Sequence, residues 1–181
     1  MSERAYYAVA RTFHWIVAGI VGFQFLTAWI MPGVRRSTNP AYLVNIHMTY
    51  GAILLPFVAL FFASRFFRPA SPPYRLSKLN ERLAKAVHHS IYALLFLVPL
   101  TGLAYATWRG WTVTIFGAYE LPHLFAGSPY LRLLAELHGG LATILGYLVL
   151  GHIGAALYHH FVLRDEVLVT MLPWAKRSVR G

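Results

Sequence analysis

The segment that decides the fold runs from Leu134 to Leu163 and reads LAELHGGLATILGYLVLGHIGAALYHHFVL. As a single helix it is long enough to cross a hydrocarbon core about 30 Å thick. Two of its histidines, His138 and His152, are fourteen residues apart. At 3.6 residues per turn their side chains lie within roughly 40° of one helix face and about 21 Å apart along the axis. Because a ligating side chain at membrane depth needs a partner, this spacing indicates two buried metal centres, stacked across a membrane.

The composition of the whole chain agrees with a membrane protein. Hydrophobic residues make up 57% and charged residues 12% of the 181 positions, and the mean hydropathy is +0.52, which is too apolar for an ordinary soluble domain. Three further apolar stretches have spanning length, at Phe13–Gly33, Leu43–Ser64 and Ala86–Trp108. We therefore predict an all-α membrane protein, a bundle of four transmembrane helices. The first stretch contains His14 and Gln24 and lacks a cleavage site, so we expect it to be retained rather than removed as a signal peptide.

The basic residues indicate a topology rather than a nucleic-acid surface. Sixteen Lys and Arg face six Asp and Glu, but their positions are uneven. Only Arg35, Arg36, Arg109 and Arg132 fall on one side of the predicted spans, and the others fall near the termini or in the middle loop. The positive-inside rule then places both termini in the cytoplasm. Nucleic-acid binding is not expected.

The cysteine count narrows the kind of metal centre. The chain has no cysteine, which excludes disulfides, iron–sulfur clusters and thioether-linked c-type haem. Haem b held only by histidine side chains is the remaining haem chemistry that fits. A zinc site would need its ligands clustered at one depth, with further histidine or carboxylate partners. Copper remains possible in principle.

Depth along the predicted helices assigns the histidines to two pairs. His47 and His138 both lie near the outer face, whereas His14 and His152 both lie near the inner one. Two neutral imidazoles on each iron leave no open coordination position, which suits electron transfer better than oxygen activation. We therefore predict two haems b between the helices, one at each level. The alternative is that these histidines are satisfied within a polar bundle interior or line a proton path.

The histidines beyond His152 admit two interpretations. His159 lies about 20° around the helix from His152 and about 10 Å deeper. It either replaces His152 as the inner ligand or lines a neighbouring pocket. We favour the pocket, in which a quinone headgroup accepts a hydrogen bond from His159 or His88. For His89, His160 and His123, exposure at the headgroups or in a loop is the expected role.

These residues resemble the bacterial cytochrome b561 family, which shares a domain with the membrane cytochrome b subunits of nickel–iron hydrogenases. The resemblance covers essentially the whole chain and implies one domain over residues 1–181. Hydrogenase cytochromes have an additional helix for which this chain has no room. The matching features are Arg11-x-x-His14-Trp15, Ile46-His47 with Gly51, His88 with Tyr92, Arg109-Gly110, His138 with Leu145-Gly146-Tyr147, and His152 with His159-His160.

The resemblance implies a di-haem b protein of the bacterial inner membrane that passes electrons between quinone and a second partner. Within the family, the short four-helix form resembles superoxide oxidases, which take electrons from superoxide outside and reduce ubiquinone inside. The family pattern makes His14, His47, His138 and His152 the haem ligands and places the quinone near His159 and Arg75.

The donor on the outer side has more than one candidate. Arg109, with Arg35, Arg36 and Arg132, would steer superoxide anions to the outer entrance, although ordinary loop solvation explains these arginines equally well. Alternatively, the chain is an electron-transfer module that docks a periplasmic c-type cytochrome or dehydrogenase through the aromatic-rich outer loop Trp108–Tyr130. The length of that loop also allows a short surface helix.

A third class of function is a haem-bearing scaffold or a transporter. The glycine-rich fourth span permits a homodimer as well as haem packing.

Overall fold

The computed structural model describes residues 3–31, 41–65, 78–122 and 131–172. Four long helices dominate it. They are α1 (Glu3–Ile30), α2 (Tyr42–Arg65), α3 (Lys78–Trp108) and α4 (Leu131–Tyr158). Each contains a segment long and apolar enough to cross a membrane, which confirms the predicted all-α architecture with four spans. In a bilayer the helix is favoured because it satisfies every backbone polar group within the segment itself.

Two helices begin earlier than their apolar stretches. Helix α1 starts at Glu3 rather than at residue 13, and α3 starts at Lys78 rather than at residue 86. The first turns of α3 are exposed and polar, and Lys85 pairs with Glu81 one turn earlier at 2.6 Å. Hydropathy marks where a chain crosses the membrane, whereas helical hydrogen bonding continues into the polar flank, so both helices extend beyond the predicted spans.

The C-terminal part of the fourth span changes its winding. Helix α4 passes into a π-helical turn over His159–Leu163, and Arg164 then adopts a left-handed conformation with φ 52°. A short helix, α5 (Val167–Met171), follows and returns to the start of α1. There the Trp15 indole donates a hydrogen bond to the Met171 carbonyl at 2.7 Å. We call this end of the bundle the inner end.

The opposite, outer end carries a small β-hairpin. Strands β1 (Thr114–Ile115) and β2 (Tyr119–Glu120) pair antiparallel around a tight turn in which Gly117 has φ 68°. The Thr49 hydroxyl of α2 donates to the Thr114 carbonyl at 2.7 Å and ties the hairpin to the bundle. The described part of the outer loop, up to residue 122, therefore forms a hairpin rather than the short surface helix that the loop length allowed.

The main core lies in the middle of the bundle and draws on all four long helices. Its members are aliphatic, as expected where packing rather than hydrogen bonding holds helices together in lipid. They are Val17, Val21, Leu54, Val58, Ile91, Leu94, Leu95 and Leu145. A second cluster around Trp111 and Val113 packs under the hairpin at the outer end. Between these two clusters, and again below the main core, lie the histidines.

Candidate functional site

The outer histidine pair joins α2 to α4. The rings of His47 and His138 face each other with centroids 6.4 Å apart and planes 79° apart. Both side chains are half-buried. The pair therefore consists of two imidazoles at one level, offered from opposite sides of the bundle.

The inner pair joins α1 to α4. The rings of His14 and His152 have centroids 6.3 Å apart and an angle of 67° between their planes. His88 of α3 lies closer to His152, at 5.2 Å, and stacks on Tyr92 at 6.1 Å. Three histidines therefore meet at the inner level, and only the His14–His152 spacing matches that of the outer pair.

The spacing of these two pairs fits a metal ion held between the rings. Two imidazoles bound to opposite sides of one metal, with metal–nitrogen distances of about 2.0–2.1 Å, have centroids roughly 6.3 Å apart. The two measured separations are 6.3 and 6.4 Å, whereas 5.2 Å for His88–His152 is too short for such an arrangement. Among the described residues no group of three or more His, Cys, Asp or Glu is placed to hold a metal ion. A planar macrocycle that supplies the other ligands matches this donor set.

The distance between the level of the outer histidine pair and that of the inner pair is about the same along α4 and along α1. On α4, fourteen residues from His138 to His152 correspond to about 21 Å. On α1, the thirteen residues from His14 to Thr27, which contacts the outer pair, correspond to about 20 Å. The helices therefore run nearly in register, and the pairs lie towards opposite ends of the bundle.

The ring of His138 is held by the backbone of α3. Its Nδ1 lies 2.9 Å from the Val98 carbonyl, so Nδ1 carries the proton and donates it. A Cβ at Gly102 would lie 2.9 Å from His138 Cε1, so glycine is needed for the ring to lie this close to the helix. This arrangement leaves the Nε2 lone pair of His138 available to a metal.

The ring of His47 is held by a side chain of α1. Its Nδ1 lies 3.1 Å from the hydroxyl of Thr27, and the Gln24 amide donates to the His47 carbonyl at 3.0 Å. A Cβ at Gly51 would come within 2.9 Å of that amide nitrogen, so α1 and α2 approach closely here. Sequence reasoning missed Thr27, because an isolated threonine in an apolar helix carries no local signal of what it contacts.

His159 lies in the π-helical turn, beyond the inner pair. Its Nδ1 is 2.5 Å from Asp165 Oδ2, and the other carboxylate oxygen accepts the Val167 N–H at 3.0 Å. Burial raises the pKa of Asp165, but hydrogen bonds from His159 and Val167 and the attraction of His159 outweigh it and lower the pKa overall. Sequence reasoning missed Asp165 as the partner of His159. Arg75, predicted beside the quinone, lies outside the described residues.

Arg109 begins the turn between α3 and the hairpin. Its guanidinium carbon lies 5.5 Å from the Tyr105 ring centroid and 4.8 Å from that of Trp111. Both distances permit a cation–π interaction. Arg132, another predicted outer cation, pairs with Glu136 at 2.8 Å, so its charge is balanced locally. Arg35 and Arg36 lie outside the described residues.

Comparison with known proteins agrees with this arrangement. Residues 5–174 match the prokaryotic cytochrome b561 family. The chain belongs to this family. Its members are four-helix membrane proteins that hold two haems, so the predicted fold class and haem b follow from membership.

Individual relatives are similar over nearly their whole length. Cytochrome b561 homolog 1 of Escherichia coli K12 is 25% identical, over 90% of this chain and 94% of its own. Cytochrome b561 homolog 2 of the same strain is 27% identical, over 92% of this chain and 90% of its own. A probable superoxide oxidase, CybB, of Yersinia pestis is 29% identical, over 88% of this chain and 91% of its own.

Proposed function

We propose that this cytochrome b561 protein oxidises superoxide at its outer end and reduces ubiquinone near its inner end. Membrane electron transfer is the activity of the family. The finer assignment rests on the two histidine pairs, each spaced for one metal ion and placed about 20 Å apart across the bundle. His47 with His138 and His14 with His152 are the proposed haem ligands.

The ligand set determines what kind of chemistry each site performs. When bound, haem b supplies one-electron exchange. Two histidines would hold each haem and leave no coordination position open, so substrate would react at the edge of the site. Two superoxide ions give two electrons and two molecules of dioxygen, and one quinone takes up two electrons and two protons to become a quinol.

Arg109 is the residue that we propose attracts the anion at the outer end. It lies seven residues beyond Gly102, which contacts His138, so about 10 Å separate them along the α3 direction. The rings of Tyr105 and Trp111 hold its guanidinium in place. A positive charge fixed at the entrance raises the local concentration of a small anion and the rate of encounter. The similarity to a probable superoxide oxidase supports superoxide as that anion.

His159 is the residue that we propose binds the quinone. The Asp165 carboxylate accepts a hydrogen bond from Nδ1 and orients the ring, and in the form of the ring that carries a proton on both nitrogens Nε2 donates to a quinone carbonyl oxygen. Arg75 and His88 are the other proposed contacts, His88 from the side of the inner histidine pair. We place this end and both termini in the cytoplasm of a bacterial cell, with the bundle in the inner membrane, because the basic residues concentrate there. The whole chain then acts as one domain.

The test is a redox experiment on detergent-purified protein. A reduced-minus-oxidised visible spectrum with pyridine haemochrome quantification should give two haems b per chain. Superoxide should reduce them and ubiquinone should reoxidise them. Two haems that do not respond to superoxide would refute the donor assignment, and protein without haem would refute the ligand assignment.

A second candidate is an electron carrier that docks a periplasmic redox protein. The hairpin favours it, because Phe116 in its turn and Tyr119 at the start of β2 are 73% and 75% exposed. Aromatic side chains in such positions are typical of protein interfaces. Co-purification of a c-type cytochrome or dehydrogenase, lost on Phe116→Ser substitution, would favour this function over superoxide oxidation.

A further inference from the structure

Thr27 is buried beside the outer histidine pair, with 3% of its surface exposed. Its hydroxyl oxygen lies 3.0 Å from the Phe23 carbonyl, 3.0 Å from the Gln24 carbonyl and 3.1 Å from His47 Nδ1. A hydroxyl has one hydrogen to donate, and a carbonyl can only accept. With that hydrogen directed to either carbonyl, a lone pair of the hydroxyl oxygen faces the imidazole.

Ligation of a metal by His47 would fix its tautomer. Because Nδ1 faces Thr27, Nε2 is the nitrogen left for a metal, and a ligating Nε2 is unprotonated, so Nδ1 carries the proton and donates it to the hydroxyl oxygen. An Nε2 lone pair is what a metal ligand requires. The same result is reached at His138 by a different route, because there the acceptor is the Val98 backbone carbonyl. Thr27 therefore orients His47, one of the two ligands of the outer pair. Unlike the Val98 backbone carbonyl, this group can be removed by substitution.

We propose that Thr27 is a positioning residue that tunes the outer haem through His47. The inference rests on the proposed ligation of that haem by His47 and His138. A hydrogen bond from Nδ1–H to the hydroxyl raises the basicity of the imidazole and its donation to the metal. Stronger donation favours the ferric form. Thr27 therefore keeps the midpoint potential of the outer haem low, which favours onward transfer to the inner haem.

The experiment is a potentiometric titration of haem-loaded protein followed by visible absorption. Thr27→Val keeps the shape of the side chain and removes the hydroxyl. Thr27→Ser keeps the hydroxyl and removes the methyl group. Thr107→Val is the matched control. The Thr107 hydroxyl makes the same back-bond within its helix, to the Leu103 carbonyl at 3.0 Å. The outer component of the titration is assigned by its loss in His47→Ala.

Thr27→Val should raise the outer midpoint potential and leave the inner one unchanged, while Thr27→Ser and Thr107→Val stay near wild type. We expect a several-fold change in the oxidised-to-reduced ratio at fixed potential, where tenfold corresponds to about 59 mV for one electron. Loss of the outer haem in Thr27→Val but not in Thr27→Ser would also support the role of the hydroxyl.

Two haems with unchanged potentials in Thr27→Val would overturn the inference. So would loss of the outer haem in both Thr27 variants, because packing rather than the hydroxyl would then be responsible. Failure of the proposed haem ligation is distinguishable, since wild-type protein would then contain fewer than two haems or His47→Ala would remove no component of the titration.

Discussion

Gly102→Ala tests whether the outer haem depends on the close approach of α3 to His138. The added Cβ would lie 2.9 Å from Cε1 and 3.2 Å from Nδ1 of the His138 ring. Carbon atoms pack best at about 3.5–4.0 Å, so the ring or the helix has to move by about 0.6 Å or more. The hydrogen bond from His138 to Val98, now 2.9 Å, would then approach about 3.5 Å, beyond the usual range.

The energetic cost follows from three contributions. Overpacking costs about 1–3 kcal/mol, and loss of a hydrogen bond costs about 1 kcal/mol more. The higher helix propensity of alanine than of glycine stabilises the folded protein by about 1 kcal/mol and offsets part of this cost. Gly102→Ala should therefore destabilise the protein by about 1–3 kcal/mol. The clash is with His138, a proposed ligand of the outer haem.

The measurement is the haem-to-protein ratio by pyridine haemochrome, with a melting curve in detergent. We expect the outer haem to be lost or to change its midpoint potential, while the inner haem stays. Gly154→Ala is the matched control, because Gly154 is exposed, has no atom within 4 Å of an added Cβ, and lies about 160° around α4 from His138. Two haems and an unchanged outer potential in Gly102→Ala would refute the reasoning.

Three further predictions concern the ligands and the two substrate ends. His47→Ala should remove only the outer haem and His14→Ala only the inner one, as measured by haem content and redox titration; loss of the same haem in both would contradict the assignment by depth. Asp165→Asn should keep both haems but slow reoxidation by ubiquinone several-fold, and an unchanged rate would argue against a role for the carboxylate. Because the pKa of Asp165 is lowered in the folded protein, its stabilising effect should be complete above the ordinary pKa of a carboxyl group and disappear as pH falls through the lowered value, so the difference in melting temperature between wild type and Asp165→Asn should vanish in acid. Arg109→Gln should lower the rate of reduction by superoxide several-fold at low ionic strength and weaken its salt dependence, and equal rates at all salt concentrations would rule out steering by this residue.

The sequence alone was sufficient for the architecture, and it predicted which histidines pair across the bundle. An apolar segment of spanning length has to be helical in lipid, because its backbone groups find no other partners there. Within one helix the spacing of His138 and His152 is a local property, set by rise and twist. The four-helix prediction is confirmed for these reasons. Helices α1 and α3 extend beyond the predicted spans because helical hydrogen bonding does not stop where hydropathy changes.

The contacts between helices were decided only by the tertiary structure. Whether two rings face each other depends on how each helix is rotated about its axis, and that rotation is set by distant close approaches such as Gly51 against Gln24 and Gly102 against His138. The partners Thr27 and Asp165 escaped prediction for two different reasons. Thr27 meets His47 across a helix interface, and Asp165 reaches His159 through a π-helical turn. Periodicity along one chain segment carries no information about either contact, because both arise from packing between segments or from a local departure from α-helical winding.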